Sequence, residues 1–111
     1  MVRLMDHYWS VVCEWNDQHF PNWRKINPVF HSNALAGESG EVCNAVKHFV
    51  GGGTNLLDHP PEWYREKALK ESVDVFIYLV LTLGSLGYSF SDFALAFDEK
   101  IQIITDRMAN K

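Results

Sequence analysis

Apolar residues recur at intervals of three and four along most of the chain, which predicts helices rather than strands. In the N-terminal segment this stripe consists of Leu4, Tyr8, Val11, Val12 and Trp15. Near the C-terminus a narrower stripe consists of Phe90, Phe93, Phe97, Ile101, Ile104 and Met108. The β-branched run 73–80 lies inside a longer helical pattern and has no hairpin signals around it. The pattern therefore predicts an all-α chain, with Trp9 and Trp15 in its core.

Capping residues and turn formers divide this pattern into separate helices. The first stripe fades by His19, which ends the first helix. Asn27 followed by Pro28 places a capping side chain before a proline in the first helical turn. Because the glycines at 51–53 are an equally strong stop signal, we expect the second helix to cover about 28–49.

The second half of the chain carries two further helices. Turn-forming residues fill 51–61, where we expect a flexible loop, and the prolines at its end lead into a third helix that stops at Gly84 or Gly87. Ser89 or Ser91 can then cap the fourth helix. The sequence thus predicts a four-helix, bundle-like fold.

Length and composition favour one domain over 1–111, since 111 residues with 47% hydrophobic content can form a core of their own. The net charge of −4 and the scattered basic residues argue against a polymeric nucleic-acid partner. Cys13 and Cys43 lie in amphipathic stretches, so we expect reduced thiols. The longest apolar run, 73–83, is too short to cross a bilayer. We therefore expect a cytoplasmic protein without a membrane partner.

Two pairs of acids stand out on the predicted helices. Glu38 and Glu41 are three residues apart on the second helix, and Glu71 and Asp74 have the same spacing on the third. Asp74 lies within an apolar run, where a charge is costly unless it is paired or coordinated. An oxygen-only set of four carboxylates suits Mg²⁺, or Mn²⁺, better than zinc. The alternative is that these acids form ordinary solvated faces with Arg or Lys partners.

Two glycines interrupt the same acidic segment. Gly37 and Gly40 each cost about 1 kcal/mol of helix propensity relative to alanine. We expect them to form a seam that lets a neighbouring helix backbone approach, so that all four acids reach one cation.

The segments "ALAGESGEVCNAVKH" and "KESVDVFIYLVLTLGSLGYSFSDFALAFDEKIQIITDR" resemble the MazG-like, all-α nucleoside triphosphate pyrophosphohydrolases, over residues 30–107. That family's five-acid signature falls on Gly37, Glu38, Glu41, Glu71 and Asp74. The first acid is replaced by Gly37, as in dCTP-pyrophosphatase-like members, and the spacer between the two acid pairs is long. The family's later Lys, Asn and Arg positions correspond to Lys100, Ile104 and Arg107, so the asparagine is missing.

The resemblance implies Mg²⁺-dependent hydrolysis of a nucleoside triphosphate to a monophosphate and pyrophosphate, in control or house-cleaning of the nucleotide pool. Glu38, Glu41, Glu71 and Asp74 would hold the cation. Glu41 is our choice as the base or bridging ligand. Phosphoryl chemistry of this kind needs charge neutralisation and a positioned water, which a cation held by carboxylates can supply.

Further residues are candidates for contacts with the nucleotide. Tyr78 lies four residues after Asp74 on the same face, and similar enzymes place a tyrosine there. The alternative for Tyr78 is core packing. The remaining candidates are His31 and His48 near the acidic face, Trp23 as an exposed loop platform for stacking, and Lys100 and Arg107 as cations for phosphate.

Two other classes of protein could also carry acids in this pattern. A catalytically silent helical module would use the acids to bind a structural cation or a partner helix. A di-iron carboxylate bundle would require Glu-x-x-His pairs, which this chain lacks. Because the apolar positions exceed what one small bundle can bury, we expect a homo-oligomer, a dimer or a dimer of dimers.

Overall fold

The chain folds into four α-helices, as seen in a computed structural model that describes residues 4–51 and 59–110. The helices are α1 (Leu4–His19), α2 (Pro28–Gly51), α3 (Pro61–Ser85) and α4 (Phe90–Ala109). No strand occurs within those ranges. The predicted all-α class is therefore confirmed. The predicted loop falls mostly on residues outside the described ranges.

Side-chain caps explain where two of the helices begin. The carboxamide oxygen of Asn27 accepts a hydrogen bond of 3.0 Å from the backbone N–H of Val29, at the start of α2. At the start of α4, the Asp92 N–H donates to the Ser89 hydroxyl, and the Ser89 N–H donates to the Asp92 carboxylate. This capping box satisfies two otherwise unpaired donors. The cap of α4 is therefore Ser89, the first of the two predicted serines.

A glycine turn ends α3 and redirects the chain. Gly87 has a φ of 91°, a left-handed conformation that glycine adopts without a Cβ penalty. Its N–H donates to the Gly84 carbonyl, and the Tyr88 N–H donates to the Leu83 carbonyl, both at 3.0 Å. These two bonds form a Schellman motif. As a result α4 leaves α3 at 106°.

The core lies where α1 and the α1–α2 loop pack against α3. α2 and α3 form the main helix pair, and α1 packs against α3. The buried apolar cluster consists of Trp9, Val12, Trp23, Val80 and Leu81. Val80, at the end of the apolar run 73–80 in α3, is fully buried.

The face that α1 turns inward differs from the predicted stripe. Trp9 and Val12 are buried, whereas Trp15 is 51% exposed, so its prediction as a core residue was wrong. The Trp15 ring instead stacks on His19, with ring centroids 4.1 Å apart. Helical spacing gives α1 two apolar stripes, and only the one containing Trp9 meets α3 within the chain.

The helix α4 extends away from the rest of the protomer. Its first turn is packed, because Phe90 and Phe93 lie against Trp9 with ring centroids 5.8 and 5.7 Å apart. None of its residues is buried. The Cα radius of gyration is 17.4 Å, whereas a compact chain of this length has about 13 Å. The four helices therefore do not close into a complete bundle.

The described helices are not individually membrane-spanning segments. None of them alone is long and apolar enough to cross a membrane, and α3 and α4 reach that composition only together, across the 106° bend.

The glycines in α2 do not provide a close helix contact. A Cβ added at Gly37 or Gly40 would find no atom of a described neighbour within 4 Å. The predicted seam of small residues is therefore wrong. The close approach lies instead at Gly84, where an added Cβ would be 2.6 Å from Cη2 of Trp23.

Candidate metal centre

Three carboxylates from two helices converge at the α2–α3 contact. Glu38 projects from α2, while Glu71 and Asp74 project from the same face of α3, since residues three apart are neighbours on a helix. One oxygen from each lies within 4.8 Å of the others. The convergence comes from the extensive packing of α2 on α3, which aligns the two acidic faces.

Crowding raises the pKa of two of these acids. The pKa of Glu38 is raised first by its hydrogen bond with Glu71, then by burial and by the charge of Asp74. The pKa of Asp74 is raised first by burial and then by the charge of Glu71. Like charges in one site disfavour full ionisation. The cluster therefore favours a species that brings positive charge, either a shared proton or a cation.

The donor set is suited to a hard divalent cation. All three ligands are carboxylate oxygens, and each of the three residues is half-buried. Mg²⁺ in proteins usually keeps several waters and is held by one or two carboxylates together with substrate phosphates. No cysteine or histidine belongs to the cluster, so a zinc site is not favoured. The described residues thus fit Mg²⁺ or Mn²⁺.

The fourth predicted ligand, Glu41, lies beside this cluster rather than in it. Its Oε2 atom is 3.9 Å from Nζ of Lys67. Lys67 also lies over the ring of Trp63, 5.4 Å from the centroid. Sequence reasoning missed this lysine, although a signal was available: Lys67 stands one helical turn before Glu71. A cation is thus placed next to the acids from within α3.

Tyr78 lines cavities that continue from the acids. One cavity of about 410 Å³ includes Asp74 and Tyr78 in its wall. A second, of about 600 Å³, includes Tyr78 and His31. The residues common to both walls are Asn16, Phe20, Tyr78 and Leu81. An apolar, aromatic trough therefore runs from the acidic cluster along α3.

Trp23 is not an exposed platform for stacking. It is only 2% exposed and belongs to the core cluster, so that prediction was wrong. Its indole N–H donates to the Asp17 carboxylate at 2.8 Å, which orients the ring inward. His31 is also buried, and its Nε2–H donates to the Trp23 carbonyl at 2.9 Å. His31 therefore supports the α1–α2 loop as well as lining the larger cavity.

The remaining predicted residues lie apart from the trough. His48 packs edge-on against Tyr64, with ring centroids 5.0 Å apart, beside a separate cavity that also includes Lys67. Lys100 and Arg107 are exposed on α4, and neither forms an ion pair with any carboxylate in the described ranges. The structure thus brings together the acids and Tyr78 but not the α4 cations.

No protein-family model, no curated protein and no solved structure matches this chain.

Proposed function

We propose that this protein is a divalent-cation-dependent nucleoside triphosphate pyrophosphohydrolase that releases a nucleoside monophosphate and pyrophosphate. The observation that carries the proposal is the convergence of Glu38, Glu71 and Asp74 within 4.8 Å across two helices. The resemblance of the acid spacing to the MazG-like family supports the same reaction. A role in controlling the nucleotide pool follows from that chemistry.

The acids and their neighbours would have different roles in binding the triphosphate and activating water. Glu38, Glu71 and Asp74 would hold Mg²⁺, which supplies charge neutralisation and activation of the attacking water. Glu41 is the proposed base or bridging group, because it adjoins the cluster without belonging to it. Lys67 would contact a phosphate oxygen, because its ammonium group already lies beside Glu41.

The trough beside Asp74 would receive the nucleoside. Its two cavities, about 410 and 600 Å³, are of the size that accommodates small organic ligands. Tyr78 lines both, and its ring would contact a flat base or the sugar while the phosphates face the acids. This arrangement favours a nucleotide over inorganic polyphosphate.

The second candidate is a helical module without activity, which the exposed apolar surface of α4 favours. In that case the acids would bind a structural cation only. The two functions differ in turnover: only the enzyme releases pyrophosphate.

The test is a steady-state assay with a panel of ribo- and deoxynucleoside triphosphates and Mg²⁺ or Mn²⁺. We expect turnover of at least one nucleotide, abolished by a chelator. Asp74→Asn and Glu71→Gln should each lower kcat/KM by about 100-fold or more, because each removes several kcal/mol of charge stabilisation.

The matched control is Glu62→Gln on the same helix. Glu62 is exposed and pairs only with Arg65 among the described residues, so the control should retain activity. Absence of turnover by folded wild type would refute the enzyme and leave the silent module. Full activity in both cluster variants would instead refute the assignment of the catalytic site to Glu71 and Asp74.

A further inference from the structure

A groove between α2 and α3 continues from the acidic cluster toward the start of α3. Glu41 and His48 are seven residues apart on α2, so they share one face of that helix. The Oε2 atom of Glu41 is 3.9 Å from Nζ of Lys67 on α3. One stage further along α2, His48 packs edge-on against Tyr64 of α3. The two helices are therefore antiparallel here, and the groove follows α3 backwards from Glu71.

Two cavities lie along this groove and share part of their walls. The first, of about 250 Å³, includes Glu71, Lys67 and Lys70. The second, of about 260 Å³, lies nearer the start of α3. Trp63 and Lys67 belong to both walls, and Trp63 precedes Glu71 by eight residues, or about 12 Å of helix. An elongated ligand at the acids therefore has room to extend into the second cavity.

The second cavity is lined by basic and uncharged side chains. Its wall consists of Asn44, Ala45, His48, His59, Trp63, Tyr64 and Lys67. No carboxylate belongs to this wall among the described residues. The charge along the groove thus changes sign, from the three acids at one end to a lysine and two histidines at the other. A cleft lined in this way attracts an anion.

Aromatic packing holds the two imidazole rings in the cavity wall. His59 stacks on Trp63, with ring centroids 3.8 Å apart and an angle of 11° between the ring planes. His48 meets the buried ring of Tyr64 at 81°, with centroids 5.0 Å apart. No nitrogen of either imidazole is hydrogen-bonded to another residue within 4–51 or 59–110. Each ring therefore keeps an N–H donor for a ligand.

Lys67 connects the acidic and the basic end of the groove. Its ammonium group contacts Glu41 at 3.9 Å and lies 5.4 Å from the centroid of the Trp63 ring. An ammonium group has three N–H donors, so contact with one carboxylate leaves donors for a further oxyanion. The side chain of Lys67 is only 35% exposed, which strengthens its attraction for a charged ligand relative to a fully solvated lysine.

We propose that the basic cavity, with Asn44, His48, His59 and Lys67 as its polar groups, is a pyrophosphate site that receives the leaving group of the reaction at the acids. Pyrophosphate is elongated and multiply charged, which matches two joined cavities with donors from both helices. The nucleoside trough runs along α3 in the opposite direction, past Tyr78. The nucleoside and the leaving group thus lie on opposite sides of the acidic cluster. The role as a product site rests on the proposed function, whereas the binding of pyrophosphate does not.

The first test is isothermal titration calorimetry with pyrophosphate in the presence of a chelator. Without a divalent cation the acidic cluster repels an anion, so the heat reports the basic cavity alone. We expect one pyrophosphate to bind per chain. Orthophosphate should bind at least about tenfold more weakly, because it forms fewer charge-assisted hydrogen bonds. Absence of pyrophosphate binding without a divalent cation, or equal affinity for orthophosphate, would overturn the proposal.

The matched variants remove the imidazole donors and keep the aromatic packing. His48→Phe and His59→Phe preserve ring contacts with Tyr64 and Trp63, so helical circular dichroism should be unchanged. Together they should raise the Kd for pyrophosphate about tenfold or more. The control is His7→Phe on α1, which is exposed and lies in the wall of neither cavity, and it should bind like wild type. An unchanged Kd in the double variant would refute this location of the site.

The second test is inhibition of nucleotide turnover by added pyrophosphate. The variant with both His48→Phe and His59→Phe should have an inhibition constant about tenfold higher, with a smaller change in KM for the nucleotide, because the trough and the acids are untouched. An unchanged inhibition constant would overturn the cavity as the position of the product. The two proposals fail separately. An active enzyme that does not bind pyrophosphate in chelator contradicts only the site, whereas binding without turnover contradicts only the proposed function.

Discussion

The contact between Gly84 and Trp23 gives a sharp prediction about stability. A Cβ at Gly84 would lie 2.6 Å from Cη2 and 2.9 Å from Cζ3 of the Trp23 ring. Distances below 3 Å do not occur between real atoms of this kind, so the ring must move. Trp23 is 2% exposed, and its N–H is bonded to Asp17, so a shift disturbs both the packing and this hydrogen bond.

The magnitude follows from three opposing effects. Overpacking of this kind costs about 1–3 kcal/mol, and weakening the indole bond costs about 1 kcal/mol. Alanine regains up to about 1 kcal/mol of helix propensity. We therefore expect Gly84→Ala to destabilise the protein by about 1–3 kcal/mol, which corresponds to a decrease in Tm of roughly 5–15 °C.

The assay is thermal and urea unfolding followed by circular dichroism at fixed protein concentration. Gly40→Ala is the matched control, because its Cβ would meet no described neighbour within 4 Å. The control should gain up to about 1 kcal/mol from helix propensity. If Gly84→Ala is as stable as Gly40→Ala, the result would contradict the close contact between Gly84 of α3 and the Trp23 ring.

Three further predictions concern single residues. Hydrogen bonds from Trp23 and Arg24 lower the pKa of Asp17 below its ordinary value of 3.8, so this carboxylate stabilises the fold above that pH and the contribution is lost as the pH falls through the lowered pKa. Asp17→Asn should therefore flatten the acid side of a plot of Tm against pH. Burial raises the pKa of the Cys13 thiol, whereas Cys43 is exposed, so iodoacetamide should alkylate Cys43 several times faster in the native state, as followed by mass spectrometry. Lys67→Met should raise KM for the nucleotide by about tenfold with a smaller change in kcat, and Lys67→Arg should restore much of the affinity, as steady-state kinetics would show.

Each of these predictions has a contradicting result. An unchanged acid limb in Asp17→Asn would remove the carboxylate from the stability argument. Equal alkylation rates in the native state would contradict the burial of the Cys13 thiol. A KM that does not respond to Lys67→Met would limit Lys67 to its structural contacts with Glu41 and Trp63.

The helices could be predicted from the sequence because their signals are local. Asn27, the serine before α4 and the glycine after α3 form their caps with residues at most a few positions away. The acid spacing was equally local, and the packing of α2 on α3 brings three of the four predicted acids together, whereas Glu41 lies beside them.

The wrong predictions concern residues whose burial depends on contacts with residues distant in the sequence. Helical periodicity gives α1 two apolar stripes, and nothing local tells which one meets α3, so Trp15 was misplaced. Trp23 looked like an exposed loop aromatic, but its bond to Asp17 and its contact with Gly84 bury it. Gly37 was read as a packing residue for the same reason: propensity shows that a glycine is unfavourable but not what lies beside it.

The most direct test of the central claim is the identity of the products formed at the acidic cluster. The protein is incubated with a deoxynucleoside triphosphate and Mg²⁺, and the products are separated by ion-exchange chromatography. We predict monophosphate and pyrophosphate in equal amounts, with at most about a hundredth as much formed in the same time by Asp74→Asn. Diphosphate and inorganic phosphate, or equal product from Asp74→Asn, would contradict it.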